Sequence, residues 1–170
     1  DVSGVSRKEA KTVNFLTLYG GGIKKLSASL GVTESVAKRT QKAIFDAAPE
    51  IKQFIRKVIK VAETRGYIFN TYGRRSQFTD RNFAYKAPNH LIQGMCADIC
   101  KRAMVGCADA LKGFKSRLLL TIHDELVFEI AYGEEYILPK LAKIMEEAYE
   151  YKKLPQGVDI EYSATNLADK

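Results

Sequence analysis

The chain has 170 residues and a mass of 19.0 kDa, room for one domain or two small lobes. Apolar residues make up 46% of it, enough to bury a sizeable core and to exclude general disorder. A net charge of +7 favours an acidic partner such as nucleic acid, and no apolar run approaches the ~20 residues of a membrane helix.

In chain order, the segment from Arg7 to Tyr19 contains neither Gly nor Pro and is predicted helical, with Ser3 or Ser6 as its cap. Gly20, Gly21 and Gly22 end it, because consecutive glycines carry a large backbone entropy cost in a helix. Helical patterns follow over Lys24–Leu30, Glu34–Ala47 and Glu50–Arg65, punctuated by Gly31 and Pro49. The period then changes. Residues 66–72 are aromatic and β-branched, and Gly73-Arg74-Arg75 reads as the turn of a hairpin. Ala87–Leu111 is expected as a long helix entered through Pro88. Two short apolar strands, Leu118–Ile122 and Leu126–Ile130, flank His123-Asp124-Glu125. An amphipathic helix over Gly133–Tyr149 and a last strand over Val158–Tyr162 complete the pattern. Hairpin connections rather than βαβ crossovers imply an α+β fold with antiparallel strands, a helical portion to residue 65 preceding a mixed portion over 66–170. The three cysteines, Cys96, Cys100 and Cys107, have no CxxC spacing, so a disulfide framework or zinc site is not expected and a reducing, intracellular setting is.

Two constellations carry chemistry. Arg7, Lys11, Phe15 and Tyr19 recur every fourth residue, which puts two cations and two rings along one helix face. A nucleoside triphosphate has the matching anatomy, a polyanionic tail and a flat base. Lys11 is also placed to donate a proton to a leaving diphosphate. The plain alternative is that the rings are core and the cations solvated. The second constellation is His123-Asp124-Glu125 at a strand–turn–strand, where adjacent carboxylates suit a hard divalent cation such as magnesium. Its plain alternative is a polar turn facing water.

The stretch from Arg7 to Gly20 resembles motif B of family A DNA polymerases, R-x3-K-x3-F/Y-x3-Y-G, and His123-Asp124-Glu125 resembles their motif C. Between them, Gly66-Tyr67, then Tyr72 to Arg75, then Asn89 to Asp98 resemble further family landmarks in the same order. The resemblance covers nearly the whole chain. It implies a fingers subdomain over 1–65 and the C-terminal part of the palm over 66–170. It implies that Arg7, Lys11 and Phe15 bind the incoming deoxynucleotide, with Tyr19 beside the templating base and Lys11 as general acid. Phe at position 15 implies rejection of nucleotides that lack a 3′-hydroxyl. Asp124 becomes a catalytic metal-binding carboxylate and Glu125 a lesser contributor, while His123 lies near the primer end. Asn89 and Gln93 would contact primer–template DNA, and Arg74 and Arg75 would bind backbone phosphate or serve the structure.

There are departures. Leu16 stands where many members have a small residue, and Leu167 near the place of a tryptophan. The family's motif A, D-x-S-x-I-E, has no counterpart in residues 1–6, and Asp46, Asp80 and Asp98 do not fit its pattern. The resemblance therefore implies two Mg2+ ions shared with a carboxylate outside this chain, supplied by an upstream segment or another chain that also carries the thumb. The expected partners are primer–template DNA and deoxynucleoside triphosphates, in bacterial or phage-infected cytoplasm or an organellar matrix, with no membrane. A non-catalytic nucleic-acid-binding subunit and a metal-dependent nuclease are the competing readings.

Overall fold

The computed structural model describes residues 7–149 and 156–164. Two compact units divide within one helix, Asp1–Met95 and Cys96–Lys170. This is a division by packing. The 65/66 boundary expected from the sequence is one of functional parts. Readings that concern Ser3, Ser6 and Leu167 lie outside the described residues.

The first unit opens with α1 (Arg7–Leu18), α2 (Ile23–Leu30) and α3 (Glu34–Ala47). Val13, Leu26 and Ala37 are buried together, joined by Leu16, Ile23, Leu30 and Ile44. Gly20 ends α1 at φ 73°, and a Cβ on Gly21 would stand 2.8 Å from the Leu16 carbonyl oxygen. The sharp stop after α1 therefore needs glycine at both positions. Thr33 Oγ1 accepts from Val36 N and caps α3.

Next, α4 (Pro49–Arg65) packs on β1 (Tyr67–Phe69) and on a 3-10 turn, Arg81–Lys86. Ala62, Ile68, Phe78, Ala84 and Ala87 form this core. Gly66 caps α4 at φ 81°, and the Arg81 guanidinium fills the space a Cβ would take while donating to the Phe78 carbonyl. β1 pairs antiparallel with β2 (Arg75–Gln77). The expected strand over 66–72 is shorter, because Asn70 breaks it: its Oδ1 accepts from Tyr72 N and Arg74 N, an Asx turn that competes with the ladder. Arg75 consequently belongs to β2 and not to the turn.

The helix α5 (Ala87–Ala110) begins in the first unit and ends in the second, with Pro88 tolerated in its first turn. The second unit continues with the antiparallel pair β3 (Arg117–Ile122) and β4 (Glu125–Glu129), bulged at Leu119. A 3-10 turn, Glu135–Ile137, leads into α6 (Leu138–Glu147). The helix expected from Gly133 starts later because Pro139 fits only a first turn. Cys107, Leu111, Ile137 and Leu141 make the core, with Leu118, Leu126 and Phe128 laid against it. The strand expected over Val158–Tyr162 is not formed. A strand exists by hydrogen bonding to a neighbour, and among the described residues this segment has no strand partner. Among the described residues both sheets are two-stranded and antiparallel, so the α+β expectation holds. No described helix is long and apolar enough to cross a membrane.

Candidate functional site

Each unit holds its own set of candidate residues. In the first, α1 brings Lys11, Phe15 and Tyr19 into line. Lys11 Nζ stands 5.8 Å from the Phe15 ring centroid, and the Phe15 and Tyr19 rings stack at 5.4 Å with planes 29° apart. Lys11 is exposed, and Phe15 leaves 42% of its surface open, so the ring is not core. Core duty on this helix falls to Val13 and Leu16, which face the opposite way. The bulky Leu16 is thereby absorbed into the α1–α3 core. Arg7 opens α1, but its side chain lies outside the described part.

Asn89 and Gln93 lie one turn apart on α5, so both project to one side of it. Gln93 is exposed, and Asn89 Oδ1 is buried without a hydrogen-bond partner. Such an orphan acceptor is costly and calls for an explanation. The Arg74 stem runs past Gly94, its Cδ 3.7 Å from where a Cβ would stand. Arg75 holds its guanidinium 4.5 Å over the Tyr67 ring, a cation–π contact that gives it a structural role. Asn70 is the residue that sequence reasoning missed in shaping this hairpin. An Asn two residues after the aromatic run, with Gly73 following, was the available signal.

In the second unit the register Ile122↔Glu125 makes His123-Asp124 a two-residue turn and Glu125 the first residue of β4. His123 takes φ 55°, the only described non-glycine residue at positive φ. A non-glycine residue there costs about 1 kcal/mol or more, and such strain concentrates where a side chain has work to do. All three side chains are exposed. The hairpin is held at both ends. At its tip, Thr121 Oγ1 donates to the Glu125 carbonyl at 3.1 Å and lies 3.7 Å from Cys100 Sγ on α5. At its base, Glu134 accepts from Lys115 N, Ser116 N and Ser116 Oγ, while Ala131 N donates to Ser116 Oγ. These bonds hold the Glu134 carboxyl below its usual range, the Ser116 hydroxyl contributing most. Partial desolvation, and then the nearby negative charge of Asp124, hold the Cys96 thiol above its ordinary value, which places Cys96 beside the turn. Burial alone pushes Cys107 to about 11, marking it as inert core.

Asp124 and Glu125 offer the hard oxygen donors that magnesium prefers, but no group of three or more His, Cys, Asp or Glu is assembled among the described residues. The three aspartates weighed against the family's motif A lie elsewhere. Asp46 pairs with Lys42 at 2.5 Å, Asp80 caps the 3-10 turn through Asn82 N, and Asp98 is buried in α5. The donor chemistry fits a divalent cation, and the donor count supplies only one side of its shell.

The family model "DNA polymerase family A" matches residues 1–168. The chain is 36% identical over 162 residues to DNA polymerase I of Streptococcus pneumoniae, covering 88% of this chain and 18% of that protein. It is 35% identical over 148 residues to the DNA polymerase of Mycobacterium phage L5, covering 86% and 24%. Among solved structures it resembles the POL domain of Pol1 from M. smegmatis in complex with DNA primer-template and dNTP. The TM-score is 0.79 at 32% identity, covering 88% of this chain and 29% of that one. The chain thus spans about a fifth of the length of the bacterial relative named above, 18% of it. The chain belongs to DNA polymerase family A.

Proposed function

We propose that this chain is the fingers, residues 1–65, and the C-terminal part of the palm, residues 66–170, of a template-directed DNA polymerase. The observation that carries the proposal is the α1 face: an exposed ammonium 5.8 Å over an exposed ring that stacks on a second ring. A packing role would bury the Phe15 ring, and a nucleoside triphosphate uses all three groups. In this reading Arg7 and Lys11 hold the triphosphate, Phe15 packs on the sugar, and Tyr19 borders the templating base. The primer 3′-hydroxyl gives its proton to solvent water and forms a bond to the α-phosphorus, the bond to the diphosphate breaks, and Lys11 gives a proton to the leaving diphosphate, to be reprotonated from water. Asp124, with Glu125 beside it, would hold divalent cations, and two magnesium ions, when bound, would polarise the phosphate and lower the pKa of the attacking hydroxyl. A carboxylate from outside the chain would supply the remaining donors. Asn89 and Gln93 bind the primer–template, Gln93 through its exposed amide, and His123 borders the primer end. Such an enzyme works where its DNA lies, in cytoplasm or an organellar matrix.

The test is primer extension. The 170-residue chain alone should give none, because one turn's carboxylates are too few to bridge two cations ~4 Å apart. Adding a chain with the upstream palm and thumb should restore magnesium-dependent extension. Robust extension by the purified chain alone overturns the half-site reading. Failure to restore it with Asp124 intact favours a non-catalytic DNA-binding subunit.

A further inference from the structure

The turn that carries Asp124 and Glu125 is held by a side chain that the proposed mechanism does not use. Of the two turn residues only His123 is at positive φ, 55°, a place that two-residue hairpin loops usually give to glycine, asparagine or aspartate. A strained turn persists only where its surroundings fix it. Thr121 lies one residue before the closing pair Ile122↔Glu125, and its Oγ1 donates to the Glu125 carbonyl at 3.1 Å, across the neck of the turn. Thr121 is exposed, so this side chain fills no core. A hydroxyl has one proton to give. With that proton on the Glu125 carbonyl, the 3.7 Å contact between Cys100 Sγ and Thr121 Oγ1 has its direction set: the thiol donates and the hydroxyl accepts. Cys100 belongs to α5, and Cys96, one turn earlier on the same side of that helix, stands beside Asp124. Two hydrogen bonds in series thus tie the neck of the turn to α5.

We propose that Thr121 is a positioning residue for the metal-binding turn: its hydroxyl fixes the Glu125 carbonyl, and with it the backbone from which Asp124 and Glu125 offer their carboxylates. The inference rests on the metal role proposed for those two residues. Threonine suits the task. Its β-branched side chain is stiff at χ1, so a strand holds the hydroxyl in one place. Donors held in advance bind a cation better than donors that must be ordered, and losing a partner that orients a metal ligand costs about 10- to 100-fold in affinity or activity. Thr121 acts through the backbone and not on a carboxylate directly, so the lower end, about 10-fold, is expected.

Thr121→Val removes the hydroxyl and keeps the shape, whereas Thr121→Ser keeps the hydroxyl. Manganese serves as a paramagnetic stand-in for magnesium, titrated into the full chain while the Asp124 and Glu125 amide signals are followed by NMR. Half-broadening should need about 10-fold more manganese in Thr121→Val than in the native chain, and about the native amount in Thr121→Ser. The thermal midpoint should be the same in all three, which a purely structural role would not allow. In the polymerase restored with an upstream chain, Thr121→Val should raise the magnesium concentration for half-maximal extension by a similar factor. Equal manganese requirements in Thr121→Val and the native chain overturn the positioning role and leave the metal role of Asp124 standing. A loss shared by Thr121→Ser, or a fall in midpoint alongside it, also overturns the positioning role. If manganese broadens neither amide in the native chain, the metal reading fails and this inference with it. The expected broadening without restorable extension keeps the inference and removes only the polymerase activity.

Discussion

The face of α1 and the β3–β4 hairpin solve opposite problems. On α1, side-chain alignment is a local consequence of helical pitch: residues four apart share a face, and Lys11, Phe15 and Tyr19 fall into line without help from distant sequence. Its only special requirement is the abrupt stop at Gly20 and Gly21. The hairpin is different. Its turn carries a strained His123, and its base is tied by Glu134, far from Ser116 in the chain. A row of binding groups can be built by periodicity, whereas a pair of carboxylates aimed from a bend needs anchors elsewhere. Variants on the two elements should therefore fail in different ways.

The largest effect is expected at the hairpin's tip. If Asp124 holds metal as proposed, Asp124→Ala should reduce extension by the reconstituted polymerase ~10³-fold or more, since such a charge at the reacting phosphate has no substitute. The thermal midpoint should stay unchanged because the side chain is exposed. Single-turnover incorporation and a melting curve measure both, and a large drop in the midpoint would mean that Asp124 serves the fold.

On the helix face, Lys11→Ala should slow incorporation ~10²-fold while primer–template affinity stays the same. Equal losses in both measurements would erase the proposed division of labour between α1 and the DNA-binding residues of α5. Phe15→Tyr is milder. It adds a hydroxyl to a ring already 42% exposed and should relax rejection of dideoxynucleotides with little loss of rate. A competition between a deoxynucleotide and its dideoxy analogue reads this directly, and an unchanged ratio would remove Phe15 from the sugar pocket.

The smallest effect concerns the hairpin's anchor. Folding holds the Glu134 carboxyl below its ordinary value of 4.5. Its hydrogen bonds therefore contribute stability that is fully present above that value and is lost as pH falls through the lowered one. Glu134→Gln should lower the thermal midpoint modestly at pH 7, and the gap to the native chain should close as the solution is acidified below the ordinary carboxyl value. A gap independent of pH would mean that the side chain acts through shape and not charge.

The sequence by itself determined the helices, the antiparallel character of the strands and both sets of candidate residues. Each of these follows from local rules: a 3.6-residue period, turn chemistry around glycine, and motif spacing along the chain. Tertiary structure decided what those rules leave open. It made Arg75 a strand residue stacked on Tyr67, because Asn70 claimed the backbone groups that would have lengthened β1. It delayed α6 to Leu138 through Pro139, and it left Val158–Tyr162 without a strand partner among the described residues. It also exposed Phe83 beside Lys86, which no period in the sequence distinguishes from a core aromatic. Burial and partner choice depend on segments far apart in the chain, and a local pattern carries no record of them.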